Sequence, residues 1–341
     1  MSSTSSGDRL LQTALAMLWA QWTELGVGGT QGSEASLVDP EALLLATSRF
    51  AIYDPRLFDE VLDWLVRFSG SLDVTRLRRL GKQHRIHDGR VLAALIDFMR
   101  QRSLTEKWDG SARSLLAREE RATYAGAKEL FVGHDGCPLP VPGTNDSFFL
   151  EHGLERPELV LRGLSQAPDP RRSALGRLRL RALVGQGARA EVLLFLATHD
   201  HAHGRLVASQ AGFAQRQVAD YLALLTASGF AERWEEGRTV QYRLARDFAV
   251  SLGPLAAYVD WAGAWSVLTV LWTAADAARD LTRYAASKVW RDAFQEVRAT
   301  TPVDGAGVSV PMPGEYAGEA ILDYADEYVL RACDAVGALA R

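Results

Sequence analysis

The feature that most constrains this chain is a switch of hydrophobic period within residues 187–246, GARAEVLLFLATHDHAHGRLVASQAGFAQRQVADYLALLTASGFAERWEEGRTVQYRLAR. Val218, Tyr221, Leu222 and Leu225 fall at i, i+3, i+4 and i+7, one apolar stripe of a helix. Val240, Tyr242 and Leu244 then alternate at period two, as a strand requires. Gly212 stands before the helix, where a tight turn needs positive φ, and Phe213 follows as an apolar plug. Gly229 stands where a helix ends. Glu235-Glu236-Gly237-Arg238 reads as the tip of a hairpin between Phe230–Trp234 and Thr239–Leu244. The predicted order is helix, short extended piece, helix, turn, helix, strand, turn, strand, with helices over about 188–198, 205–211 and 214–228.

On these residues the segment resembles the MarR/ArsR-like winged helix-turn-helix regulators. GFAQRQVADYLALLTASGFAERW and EEGRTVQYRL carry the resemblance, which is confined to residues 187–246. It implies a recognition helix, Gln215 to Ser228, and a β-hairpin wing. One departure is Ala214, where the family carries Ser or Thr as helix N-cap.

If the helix buries Tyr221 and Leu222, then Arg216, Ala219, Asp220 and Ala223 point outward and Gln215 and Gln217 flank them. Arg pairs with guanine, Gln with adenine, and Asp accepts from cytosine. The candidate DNA-binding residues are therefore Gln215, Arg216, Gln217 and Asp220, with Arg238 on the wing. The opposing reading is a solvated polar face on a protein-interaction module.

Charge favours that opposing reading. Residues 188–250 hold seven Arg and seven acids, and Glu235 and Glu236 sit on the wing. The preceding stretch, 171–189, carries Arg171, Arg172, Arg177, Arg179, Arg181 and Arg189 with no acid. Phosphate contacts supply most non-specific affinity, so Arg177, Arg179 and Arg181 are added to the DNA-binding candidates. The alternative is that these three alternate with Leu178, Leu180 and Leu183 on an ordinary amphipathic element.

A length of 341 residues implies two or three domains, and 48% hydrophobic residues is ample for folded cores. The net charge of −4 gives no global attraction to nucleic acid or membrane. Cys137 and Cys333 form no disulfide framework, which predicts a reducing cytoplasm. The N-terminus has neither a basic lead for a signal peptide nor an uninterrupted apolar span, so no membrane association is expected. The Ala-, Arg- and Trp-rich composition fits a high-GC bacterium.

The chain divides by pattern into a disordered tail (1–7), an N-terminal helical domain (8–130), a loop or connector (131–170), the winged helix-turn-helix (171–250) and a Trp-rich helical region (251–341). Within the second, residues 56–103 read as three helices, either a degenerate helix-turn-helix or a plain helical hairpin. Ser114–Phe131 looks helical, as does a long run from Leu255 to Val297. Trp261, Trp265 and Trp272 share a face broad enough to predict a homodimer interface.

Other chemistry finds little support. His199, His201 and His203 would share one strand face and are the only metal candidates, with no Cys near. Gly70-Ser71 and Asp73 lack the DxD that nucleotidyl transfer needs. No GxxxxGK[ST], GxSxG or complete dinucleotide fingerprint occurs. The expectation is a mainly α, multidomain, cytoplasmic protein, not an enzyme and without a cofactor, that binds double-stranded DNA as a transcriptional regulator and homodimer. The alternative is an antitoxin-like accessory protein that uses the winged helix to hold a protein partner.

Overall fold

Four of the eight aspartates in the first hundred residues each start a helix. Asp39, Asp54, Asp73 and Asp88 accept hydrogen bonds from the backbone N–H groups of Ala42, Leu57, Arg76 and Val91, satisfying donors that a helix start leaves unpaired. The helices they open are α2 (Pro40–Phe50), α3 (Pro55–Phe68), α4 (Val74–Gln83) and α5 (Gly89–Arg102). Pro40 and Pro55 occupy first-turn positions, where a missing N–H costs nothing. α1 (Ser6–Glu24) precedes them, so Ser6 and Gly7, expected in the tail, are helical. The computed structural model describes residues 6–29, 36–109, 126–140, 142–300 and 316–339.

Residues 126–170 are largely irregular. β1 (Lys128–Glu129) pairs in parallel with β2 (Leu154–Glu155), and α6 (Ser147–Glu151) lies between them. Most of the helix expected over Ser114–Phe131 lies outside the described residues, and its described end is the β1 strand rather than helix. Next come α7 (Gly176–Val184), α8 (Ala188–Ala197), β3 (Ala202–His203), α9 (Gly204–Ala211) and α10 (Gln215–Ala227). β4 (Ala231–Glu236), β5 (Thr239–Leu244) and α11 (Arg246–Ser251) follow. The sheet order is β3-β5-β4, antiparallel throughout.

The helical run expected from Leu255 to Val297 is two helices, α12 (Trp261–Ala278) and α13 (Arg283–Thr300). Asp260 caps the first through the Gly263 N–H, and Thr282 bonds the Ala285 N–H at the start of the second. α14 (Ala320–Leu339) closes the described chain. Among the described residues the fold is mainly helical with two small sheets.

The described residues form two hydrophobic cores, and these do not follow chain order. The larger joins α1 to α6 with α12, α13 and α14. The Trp-rich region is thus a structural part of the N-terminal unit. Trp261 and Trp265 are 1% and 0% exposed and Trp272 is 3%. Trp261 donates to the Leu37 carbonyl, and Trp272 meets Tyr53 edge-on. The homodimer face expected from these three indoles is therefore spent inside one chain. The smaller core belongs to residues 180–258 together with Leu37. No helix among the described residues is long and apolar enough to cross a membrane.

Candidate nucleic-acid interface

The second core positions α10. Val218, Leu222 and Leu225 are buried, while Gln215, Arg216, Gln217, Ala219, Asp220 and Ala223 are exposed. Gly212 takes φ 73° between α9 and α10, in the left-handed region that a residue with a Cβ rarely adopts. At the far end the Phe230 N–H reaches the Leu225 carbonyl and the Gly229 N–H the Thr226 carbonyl. This pair of bonds, with Gly229 at φ 74°, terminates the helix. Ala214 gives no side-chain cap, so the first N–H groups of α10 keep the positive end of the helix dipole without a local carboxylate.

The exposed face of α10 has two strips. Arg216, Ala219, Ala223 and Ala227 form an open one, small enough beyond Arg216 for close approach by another surface. Gln217, Asp220, Tyr221 and Leu224 instead line a groove of about 750 Å³. Its other walls are Asp73, Val74 and Thr75 at the start of α4, Lys107, Val184, residues 186–189 and Phe213. Gln217 and Asp220 therefore look partly toward the N-terminal unit. Lys107 donates to the Gly70 and Leu72 carbonyls and to Gln186 Oε1, and burial lowers its ammonium.

The hairpin tip is Gly237-Arg238, with Gly237 at φ 61°. Two hairpin carboxylates have partners: Glu232 accepts from Arg243 across the strands at 2.6 Å, and Glu235 lies 3.8 Å from Arg233. Arg216 and Arg238 are exposed and enter no ion pair among the described residues.

The arginines expected to hold phosphate from 171–189 are committed elsewhere. Arg177 and Arg181 are 2% and 5% exposed, which removes them from any surface interface. They belong to a buried network of three guanidiniums and three carboxylates. Arg76 Nη1 and Nη2 reach Asp39 at 2.5 and 2.6 Å, and Nη1 reaches Glu41 at 3.0 Å. Arg177 Nη1 lies 2.6 Å from Asp39 Oδ2. Arg181 Nη2 bridges Glu41 and Glu191, each at 2.7 Å. Burial alone would raise the Asp39 carboxyl, but Arg177 and Arg76 override it and hold it well below the usual range. Glu41 is lowered in the same way, its burial outweighed chiefly by Arg181. Arg179 donates to the Pro254 and Arg171 carbonyls. Arg171 pairs with Asp169, Arg172 with Glu24, and Arg189 lies over the Tyr221 ring.

The three histidines do not converge. His199 stacks on Phe195 at 3.9 Å, His201 lies against Trp234, and His203 caps α9 by accepting from the Leu206 N–H. No group of metal-ligating residues occurs among the described residues.

One docking contact escaped the sequence reading. Arg76 Nε donates to the Ala211 carbonyl at 3.1 Å, and Arg79 lies over Phe213 with its guanidinium 5.6 Å from the ring centre. α4 is therefore seated against the turn that leads into α10. The acid-free run of 74–87 was the available signal.

No family model, curated protein or solved structure matches the chain.

Proposed function

We propose that residues 188–244 are a winged helix-turn-helix and that the protein uses it to bind double-stranded DNA as a transcriptional regulator. The observation that carries this reading is the open strip of α10, Arg216-Ala219-Ala223-Ala227, beside an uncapped helix start. An α-helix fits the major groove when its outward residues are small or can bond base edges. In this role Arg216 reads a base edge, Gln215 flanks it, and Arg238 reaches a phosphate from the hairpin.

A second reading is favoured by the groove beside α10. Leu224 is 52% exposed there, next to Tyr221 and Val184, and such a mixed surface suits a peptide segment better than a duplex. Here the protein would be an accessory factor that grips a protein partner.

Titration of the full chain with its own upstream DNA over a series of salt concentrations separates the two. Binding that weakens linearly on a log–log plot with salt supports the DNA reading. Absence of binding at low salt, persisting when Glu235→Gln and Glu236→Gln remove charge from the hairpin, rejects it in favour of the partner-binding reading.

A further inference from the structure

The three-helix unit is short of positive charge, since its seven arginines are matched by seven acids over 188–250. The missing charge stands on α4. Residues 74–87, VTRLRRLGKQHRIH, contain no carboxylate. Leu77 and Leu80 face the core and Arg76 enters the buried network. The helical period then turns Arg78 and Lys82, four residues apart, to solvent on one stripe, with Arg79 flanking. Arg85 is exposed just past the helix end. Among the described residues none of these four cations pairs with a carboxylate.

Their position matters as much as their charge. Arg79 covers Phe213, two residues before the start of α10 and three before Arg216. A Cβ at Gly212 would stand 3.5 Å from both Arg76 Cγ and Leu80 Cδ2, so α4 lies directly against the turn. Arg76, anchored to Asp39 and Glu41 and donating to Ala211, fixes that seat.

We propose that α4 is the second half of the DNA interface: Arg78, Arg79, Lys82 and Arg85 hold the phosphate backbone of the duplex whose groove receives α10. This rests on the DNA reading above and adds the source of its non-specific affinity. The chemistry of the stripe selects a duplex. Thr75, Arg78, Lys82 and Gln83 present no apolar face for a lipid surface. Phe213 is 7% exposed beneath Arg79 and offers no stacking platform for single-stranded bases.

The test is a salt series with a random-sequence DNA duplex, comparing wild type with Arg78→Ala/Lys82→Ala/Arg85→Ala in the full chain. Each lost phosphate contact lowers the steepness of log affinity against log salt by about 0.9, so the triple variant loses nearly three units. Affinity at low salt falls roughly ten- to a hundredfold, with the wild-type melting temperature retained. Arg78→Lys, which keeps the charge, retains the slope. A triple variant with wild-type slope and affinity overturns the inference, while dependence on Arg216 and Arg238 in the same assay leaves the DNA reading standing. A wild type that binds no duplex at low salt overturns both. Loss of binding to phosphatidylglycerol vesicles without loss on DNA overturns this inference in favour of a membrane surface.

Discussion

Two stretches of this chain are rich in arginine and free of acid, 74–87 and 171–189, and they meet opposite fates. In 171–189 every arginine is committed: to Asp169, to Glu24, to the buried carboxylates, to carbonyl oxygens or to the Tyr221 ring. In 74–87 only Arg76 goes inward, and Arg78, Lys82 and Arg85 stay in water. A count of charge treats the two alike. What separates them is the supply of carboxylates from distant elements. Asp39 and Glu41 on one side and Glu191 on the other meet Arg177 and Arg181, whereas no acid faces the outer stripe of α4 among the described residues.

The largest expected effect tests the buried side of that comparison. Glu41→Ala leaves Arg181 and Arg76 short of a buried partner and should destabilise the protein by about 3–5 kcal/mol. Arg78→Ala, on the exposed side, should stay within about 0.5 kcal/mol. Denaturant unfolding of both variants measures the contrast, and equal effects would break it.

Leu222→Ala gives the yardstick for an apolar truncation of the smaller core. Leu222 is 1% exposed, and the change should cost about 2–5 kcal/mol. The open question it sharpens is whether the two units melt together. Since the ion network ties them, a single transition shifted as a whole is expected. A second transition confined to the variant would show the network to be weaker than the cores it joins.

Acid attacks the network selectively. The folded values of Asp39 and Glu41 lie below those of the unfolded chain, about 3.9 and 4.3. Their contribution is therefore complete above about pH 5 and is lost as pH falls toward the folded values, because the unfolded chain takes up protons first. The melting temperature should drop below about pH 5, and Glu41→Gln should flatten that drop. An unchanged acid slope in the variant would assign acid sensitivity to other carboxylates.

The effects on binding are smaller than those on the buried network and bear on the exposed cations alone. Arg216→Ala should cost about 1–3 kcal/mol on a specific site and little on random DNA. Arg238→Ala should weaken both alike and reduce the salt slope by about one unit. Fluorescence anisotropy with the two duplexes distinguishes them, and a reversed pattern would exchange the two roles.

Much of the candidate interface was legible from local pattern. The stripe Val218, Leu222 and Leu225, the glycines at 212, 229 and 237, and the period-two run to Leu244 placed three helices and a hairpin close to their observed bounds. Those features depend on residues three or four apart, or on the φ one residue must take, and both are written in sequence. The split of the α10 face was not, because the opposite wall of its groove comes from Asp73–Thr75 and Lys107.

By itself, then, the sequence determined the helical and strand periods, the aspartate caps and the glycine turns, each a matter of neighbours along the chain. Tertiary structure alone decided which arginines meet carboxylates, that Trp261, Trp265 and Trp272 fill the core of the first unit, and that α4 sits at the entrance to α10. The physical reason is separation: Arg181 and Glu41 stand 140 residues apart, as Arg76 and Ala211 stand 135 apart. Whether a side chain is buried or free depends on the partner that the fold brings to it, and no local period encodes that partner.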